Sequence, residues 1–133
     1  MTTATSSPAI DHFLARVRGD HDGPSPWGSG AVLDAVVPGW RFSVRGDDAI
    51  RRQIQAWFHD PGTLEELRRH AISTGEVVEL SVSWMEDGVP HAARQIHVLE
   101  LDRDGHIARH DMWCGGRWPA TLLAEMEAGS DAG

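Results

Sequence analysis

The chain contains no tyrosine and only one cysteine, Cys114. A lone thiol excludes an intrachain disulfide and fits a reducing compartment. No apolar run approaches the about 18 residues a membrane span requires, and the N-terminus lacks a basic segment followed by a hydrophobic one. A cytoplasmic protein with no membrane contact is the expectation. Lysine is absent too: all 12 basic residues are arginines, set against 20 acidic ones for a net charge of -8. A nucleic-acid binder carries a positive stripe. The nearest candidates here, Arg51-Arg52 and Arg68-Arg69, fall in expected helices with acidic neighbours and read as solvated faces. Nucleic acid is not an expected partner.

With 133 residues the chain suits one domain. At this size roughly two-thirds of the unfolded surface can be buried, so stability needs neither metal nor disulfide. The small, polar residues 1–7 and the glycine-rich residues 127–133 read as disordered ends around a single domain over residues 8–126. Pro8 opens a helix in which Ile10, Phe13, Leu14 and Val17 recur at i, i+3, i+4 and i+7, the spacing of one apolar face. Gly19 and Gly23 end it, and Gly23 to Pro26 forms a loop. Val32–Val37 and Trp40–Val44 read as strands about a Pro38-Gly39 turn. A helix from Asp48 to about Phe58 places Ile50, Ile54 and Trp57 together, and Thr63 caps a further short helix through Leu64, Leu67 and Ala71. From Glu76 the period changes to two. Val78, Leu80, Val82 and Trp84 share one face, and Glu86-Asp87-Gly88 is a hairpin signal. A return strand from His91 to Leu101, the Asp102–Gly105 turn and a strand from His106 to Cys114 complete a meander. Pro119–Met126 reads as a short helix or turn. Helices first and long hairpins afterwards describe an α+β domain rather than a dinucleotide-binding fold.

His97 and His110 flank the Asp104-Gly105 turn as expected cross-strand neighbours, on a face shared with Gln95, Leu99, Ala108 and Met112. A histidine in such a mixed apolar setting can exchange a proton near pH 7; two half-buried imidazoles bonded to backbone or water are the alternative. Asp34 interrupts the apolar run Ala31–Val37. A carboxylate there is hydrogen-bonded, paired or solvated, and it acts as a base or tautomer-fixing group only if it faces the same cavity. Strand alternation sends Asp111 away from His110, toward an arginine such as Arg94. Six tryptophans supply large apolar walls. Trp40 and Trp57 are the expected pocket walls, with Leu99 and Met112 lining it, while Trp84, Trp113 or Trp118 suit the outer sheet face. The histidines are dispersed without ligand spacing, so neither metal nor other cofactor is expected, although a set of His97, His110 and Asp34 is sterically conceivable. Cys114 reads as a small buried hydrophobe, and Gly115-Gly116 as a turn.

The segments Pro38-Gly39-Trp40-Arg41-Phe42, Gly46-Asp47-Asp48-Ala49-Ile50, His97-Val98-Leu99-Glu100-Leu101 and Asp104-Gly105-His106-Ile107, continued by Arg109 to Cys114, resemble one superfamily. It contains nuclear transport factor two, ketosteroid isomerase and the SnoaL-like polyketide cyclases. The resemblance spans about Ala31 to Trp118 and implies a cone-shaped roll: a curved antiparallel sheet closed by N-terminal helices around a pocket. It implies that His97 takes the place of ketosteroid isomerase's hydrogen-bond-donating acid and that Asp34 lies in the region of its base. The isomerase's oxyanion-hole tyrosine has no counterpart, and Gly19 to Gly30 is shorter than the usual second helix. Because this fold hosts many activities, two readings stand. One is a proton-transferring enzyme (isomerase, cyclase or dehydratase) acting on a small, largely apolar metabolite, with Asp34, His97 and His110 as catalytic groups. The other is a non-catalytic ligand-binding or interaction module. Ile96, Val98 and Trp113 on the outer face suit a homodimer.

Overall fold

The computed structural model describes residues 7–132; residues 1–6 and 133, within the ends expected to be disordered, lie outside them. Helix α1 spans Pro8–Val17, β1 Trp27–Val37, β2 Trp40–Arg45 and α2 Asp47–Trp57. Strands β3 (Gly62–Ile72), β4 (Gly75–Glu86), β5 (Val89–Leu101) and β6 (Ile107–Cys114) follow, then β7 (Trp118–Pro119) and α3 (Ala120–Ala132). The six long strands form one sheet in the order β2-β1-β6-β5-β4-β3, and β7 adds to β5. Every pairing is antiparallel except β1 with β6, which run parallel. The β4-β5-β6 meander stands as the period-two pattern requires.

Alternation decides what faces inward. Leu33 and Ala35 of β1, Leu80 and Val82 of β4, and Leu99 of β5 are all buried on one face of the sheet. Against that face lie Ile10, Phe13, Leu14 and Val17 of α1 and Ile50 and Ile54 of α2. Removing a side chain such as Phe13 from water stabilises the fold by about 1.5–3 kcal/mol. Helix α1 stops at Gly19, whose φ of +96° is a left-handed conformation open to glycine. A Cβ at this position would also come within 2.9 Å of Pro61 Cα. The chain then returns to the sheet as a loop, tied down by the buried Arg16. Its guanidinium donates to the carbonyls of His21, Gly23 and Pro24 at 3.1, 2.8 and 2.9 Å. Those bonds hold the entry to β1 and so place Trp27.

Three expectations change. The segment from Thr63 is strand β3, not a helix, because β4 offers it a complete backbone ladder. A register shift between Leu64 and Glu66 breaks the alternation that would have betrayed a strand. Its charged residues suit an exposed edge, where they discourage pairing with other chains. Strand β1 begins five residues earlier than Val32, at Trp27, and carries an irregularity between Trp27 and Val32 that accommodates its glycines. Finally, α3 continues past Met126 to Ala132.

Candidate functional site

His97 and His110 both project inward from adjoining strands, and neither has any solvent exposure. The β5–β6 register pairs His97 with Met112 and Leu99 with His110, so the imidazoles are diagonal neighbours. His97 Nδ1 and His110 Nε2 lie 2.8 Å apart, and His97 Nε2 lies 2.8 Å from Gln95 Oε1. At the other end Trp27 Nε1–H donates to His110 Nδ1 at 3.2 Å. The ring of Phe13 covers the pair, with centroids 4.8 Å from His97 and 4.9 Å from His110.

The protons in this chain follow from Trp27. An indole nitrogen only donates, so His110 Nδ1 is an acceptor and its proton sits on Nε2. That N–H donates to His97 Nδ1, which leaves the His97 proton on Nε2 and directed at the Gln95 carbonyl oxygen. Both imidazoles are therefore neutral, and each nitrogen has one partner. Burial pushes His97 down to about 3 from its ordinary 6.5. It holds His110 well below 6.5, with the neighbouring His97 adding to the effect. Desolvation disfavours the charged form, and among the described residues no carboxylate offsets it.

A cavity of about 280 Å³ opens beside this cluster. Its floor includes Val82, Ala93, Gln95, Met112 and Cys114; Trp57, Phe58 and Trp84 form walls, and Asp60 and Arg117 also line it. Gln95 is the link between cavity and histidines, since it lines the first and accepts from the second. Its amide nitrogen lies 3.6 Å from Cys114 Sγ, and the thiol donates onward to Gly116 O at 3.7 Å. Arg117 pairs with Glu86 and lies over the Trp84 ring, 5.1 Å from its centroid. His91 stacks on the same indole, with centroids 5.8 Å apart.

The expected site residues divide accordingly. His97 and His110 meet as expected, but they do not reach the cavity: Phe13 and Trp27 fill the space in front of them. Asp34 is on the opposite face of the sheet, because Leu33 and Ala35 on either side of it point into the core. Its carboxylate accepts from Arg41 at 2.9 and 3.1 Å and lies 3.7 Å from Arg109. The Arg41 hydrogen bonds hold its carboxyl below the usual range. Asp111 pairs with Arg109 at 2.9 Å rather than with Arg94, whose partner is Glu66. Trp57 and Met112 line the cavity as expected. Trp40 does not: it sits at the β1–β2 turn, 69% exposed. Leu99 packs in the core beside His110 instead of lining the cavity. Of the three tryptophans offered as alternatives for the outer face, Trp84 is a cavity wall, on the face it shares with Leu80 and Val82, whereas Trp113 does lie outside. Gln95 was legible as a member of the histidine face but not as its outlet. Trp27 carried no periodic signal, since it follows a proline-rich loop and precedes two glycines. Among the described residues no three histidine, cysteine, aspartate or glutamate side chains converge as a metal-binding group, and no helix is long and apolar enough to cross a membrane.

No protein-family model and no curated protein sequence matches this chain. Solved structures do. The epoxide hydrolase/cyclase-like enzyme SalBIII, of pyran ring formation in the polyether salinomycin, superposes with a TM-score of 0.61 at 16% identity, over 80% of this chain and 86% of that one. A protein with a ketosteroid isomerase-like fold from Catenulispora acidiphila, in complex with trimethylamine, gives 0.58 at 12% identity over 84% and 88%. An NTF-2 like protein of unknown function from Burkholderia xenovorans gives 0.53 at 15% identity over 81% and 80%. The chain has the nuclear transport factor two-like, SnoaL-like fold: an α+β cone with a curved, mostly antiparallel sheet.

Proposed function

We propose that this protein is a small-molecule enzyme of the SnoaL-like kind, transferring a proton on a compact, largely apolar metabolite bound between Trp57 and Trp84. The supporting observation is the cavity itself. At about 280 Å³ it is close to the lower end of the size range of small-molecule sites. Its lining is mostly apolar, with few polar groups, as small-molecule sites tend to be. Gln95 supplies a fixed polar contact at the floor. Asp60 is the acidic residue among the lining residues; its carboxylate lies 3.4 Å from His59 Nε2 and takes the role of base, which Asp34 cannot fill from the other face. The dry, neutral histidines support Gln95 rather than react. No cofactor enters this reading.

Proton transfer can be tested without knowing the metabolite. A small enolisable ketone such as 1-indanone is incubated with the protein in D₂O, and deuterium uptake beside the carbonyl is followed by NMR. The wild type should accelerate uptake, Asp60→Asn should lose roughly 10²–10⁴-fold of that acceleration, and Asp34→Asn should match the wild type. Acceleration that survives in Asp60→Asn refutes the assignment of the base. Binding without acceleration would leave a non-catalytic ligand carrier, a reading supported by the complete seclusion of both imidazoles from the cavity. The homodimer belongs to the same proposal. Ile96 and Trp113 face each other across β5 and β6 at 42% and 46% exposure, an apolar patch suited to a second copy.

A further inference from the structure

The hydrogen-bond chain behind the cavity runs in one direction only. Its reverse would turn the Gln95 amide so that NH₂ donates to His97 Nε2, and His97 Nδ1–H to His110 Nε2. His110 Nδ1–H would then meet Trp27 Nε1–H, donor against donor, across 3.2 Å in a site sealed from water. A buried donor left without an acceptor is costly, and no rotation of an indole supplies one. The forward arrangement satisfies every member. It continues through Gln95 Nε2 to Cys114 Sγ and from the thiol to Gly116 O.

We propose that Trp27, His110 and His97 are positioning residues that lock Gln95 with its carbonyl oxygen inward and its amide N–H toward the cavity, so that the pocket selects ligands carrying a neutral hydrogen-bond acceptor, such as a ketone or ester carbonyl. The inference rests on the pocket reading above and narrows its ligand class. Gln95 has two N–H donors, and the thiol sulfur is the only protein acceptor they meet among the described residues. The other donor is free for a ligand on a floor otherwise made of Val82, Ala93, Met112 and Cys114. At Gln95, a ligand offering only an N–H would face that donor with another, and the Asp60 carboxylate elsewhere in the lining does not relieve that clash.

Two measurements separate the lock from the pocket. Long-range ¹H–¹⁵N NMR of histidine-labelled protein at pH 7 should show both His97 and His110 as neutral Nε2–H tautomers. Calorimetry should find 1-indanone, an acceptor, bound about tenfold more tightly than indole, a donor of similar shape, the effect of about one net hydrogen bond. Gln95→Glu keeps the acceptor for His97 but removes the donor, and should abolish or reverse that preference. Trp27→Phe releases the direction and should admit the Nδ1–H tautomer of His110 while lowering the preference. An Nδ1–H tautomer at either wild-type imidazole, with 1-indanone still bound, overturns the lock and spares the pocket. Equal or reversed preference in the wild type overturns the acceptor selectivity. Failure of both probes to bind, with Nε2–H tautomers present, overturns the ligand class together with the pocket reading, and leaves the lock standing on its own.

Discussion

Mild acid should destabilise this protein through its two buried, neutral imidazoles. An unfolded histidine takes up a proton near pH 6.5, whereas His97 resists it down to about 3 and His110 is also held well below 6.5. Between those limits the unfolded chain binds protons that the folded chain refuses. Stability is therefore complete above pH 6.5 and declines as the pH falls toward 3. Each full pH unit inside that window costs about 1.4 kcal/mol per imidazole. From pH 7 to pH 5 the loss is roughly 2 kcal/mol for His97, with His110 adding to it in the same direction, a large share of the 5–15 kcal/mol typical of a domain. Urea unfolding at pH 7, 6 and 5 measures it directly. With a slope of about 2 kcal/mol/M the midpoint should fall by about 1 M from His97 alone, and further with His110. A difference under about 1 kcal/mol would mean that the imidazoles are hydrated or already charged, and the neutral chain from Trp27 to Gln95 would be wrong.

Phe13→Ala removes the ring that seals both imidazoles and should cost about 3–5 kcal/mol in denaturant unfolding; the pH dependence of stability should flatten as water reaches them, and a cost below 1 kcal/mol would show that the ring is not packed there. Gly75→Ala would put a Cβ 1.9 Å from Leu99 O between β4 and β5, and should destabilise by about 3 kcal/mol or more; an unchanged melting temperature contradicts that register. Asp34→Ala should leave ligand binding intact and change stability by no more than about 1 kcal/mol, since it breaks a surface ion pair; loss of binding would return Asp34 to the site. Trp113→Glu places a charge in the outer-face patch and should convert a dimer to monomers in sedimentation experiments, whereas a wild type that is already monomeric rejects that interface.

The parts of the fold that were legible are those in which one period persists. Ile10 to Val17 keeps a helical face because α1 packs on one side only, and β4 to β6 alternate because one sheet face is dry. The alternation also placed His97 and His110 together, since register within a tight hairpin is local information. Thr63 to Ile72 misled because an edge strand with a bulge has neither a dry face nor an unbroken period, and its pairing with β4 is a tertiary fact. Asp34 shows the limit differently. Its neighbours Leu33 and Ala35 point inward, so alternation alone excluded it from the pocket; the resemblance to a base-bearing strand pulled the other way. The filling of the hollow by Phe13 and Trp27 depends on how α1 and the Asp20–Pro26 loop settle on the sheet, which no spacing encodes. Gln95 could be placed on the right face, but its role emerged only from the direction of a hydrogen-bond chain that begins 68 residues away, at Trp27.

A ¹H–¹⁵N NMR titration with 1-indanone, following side-chain amide and indole signals, tests the cavity most directly. The Gln95 amide and the Trp57 and Trp84 indoles should shift together along one saturating curve while the Trp113 indole on the far face stays still. Shifts confined to Trp113, or no saturable shift at Gln95, would show that the space between Trp57 and Trp84 is not where this protein meets a ligand.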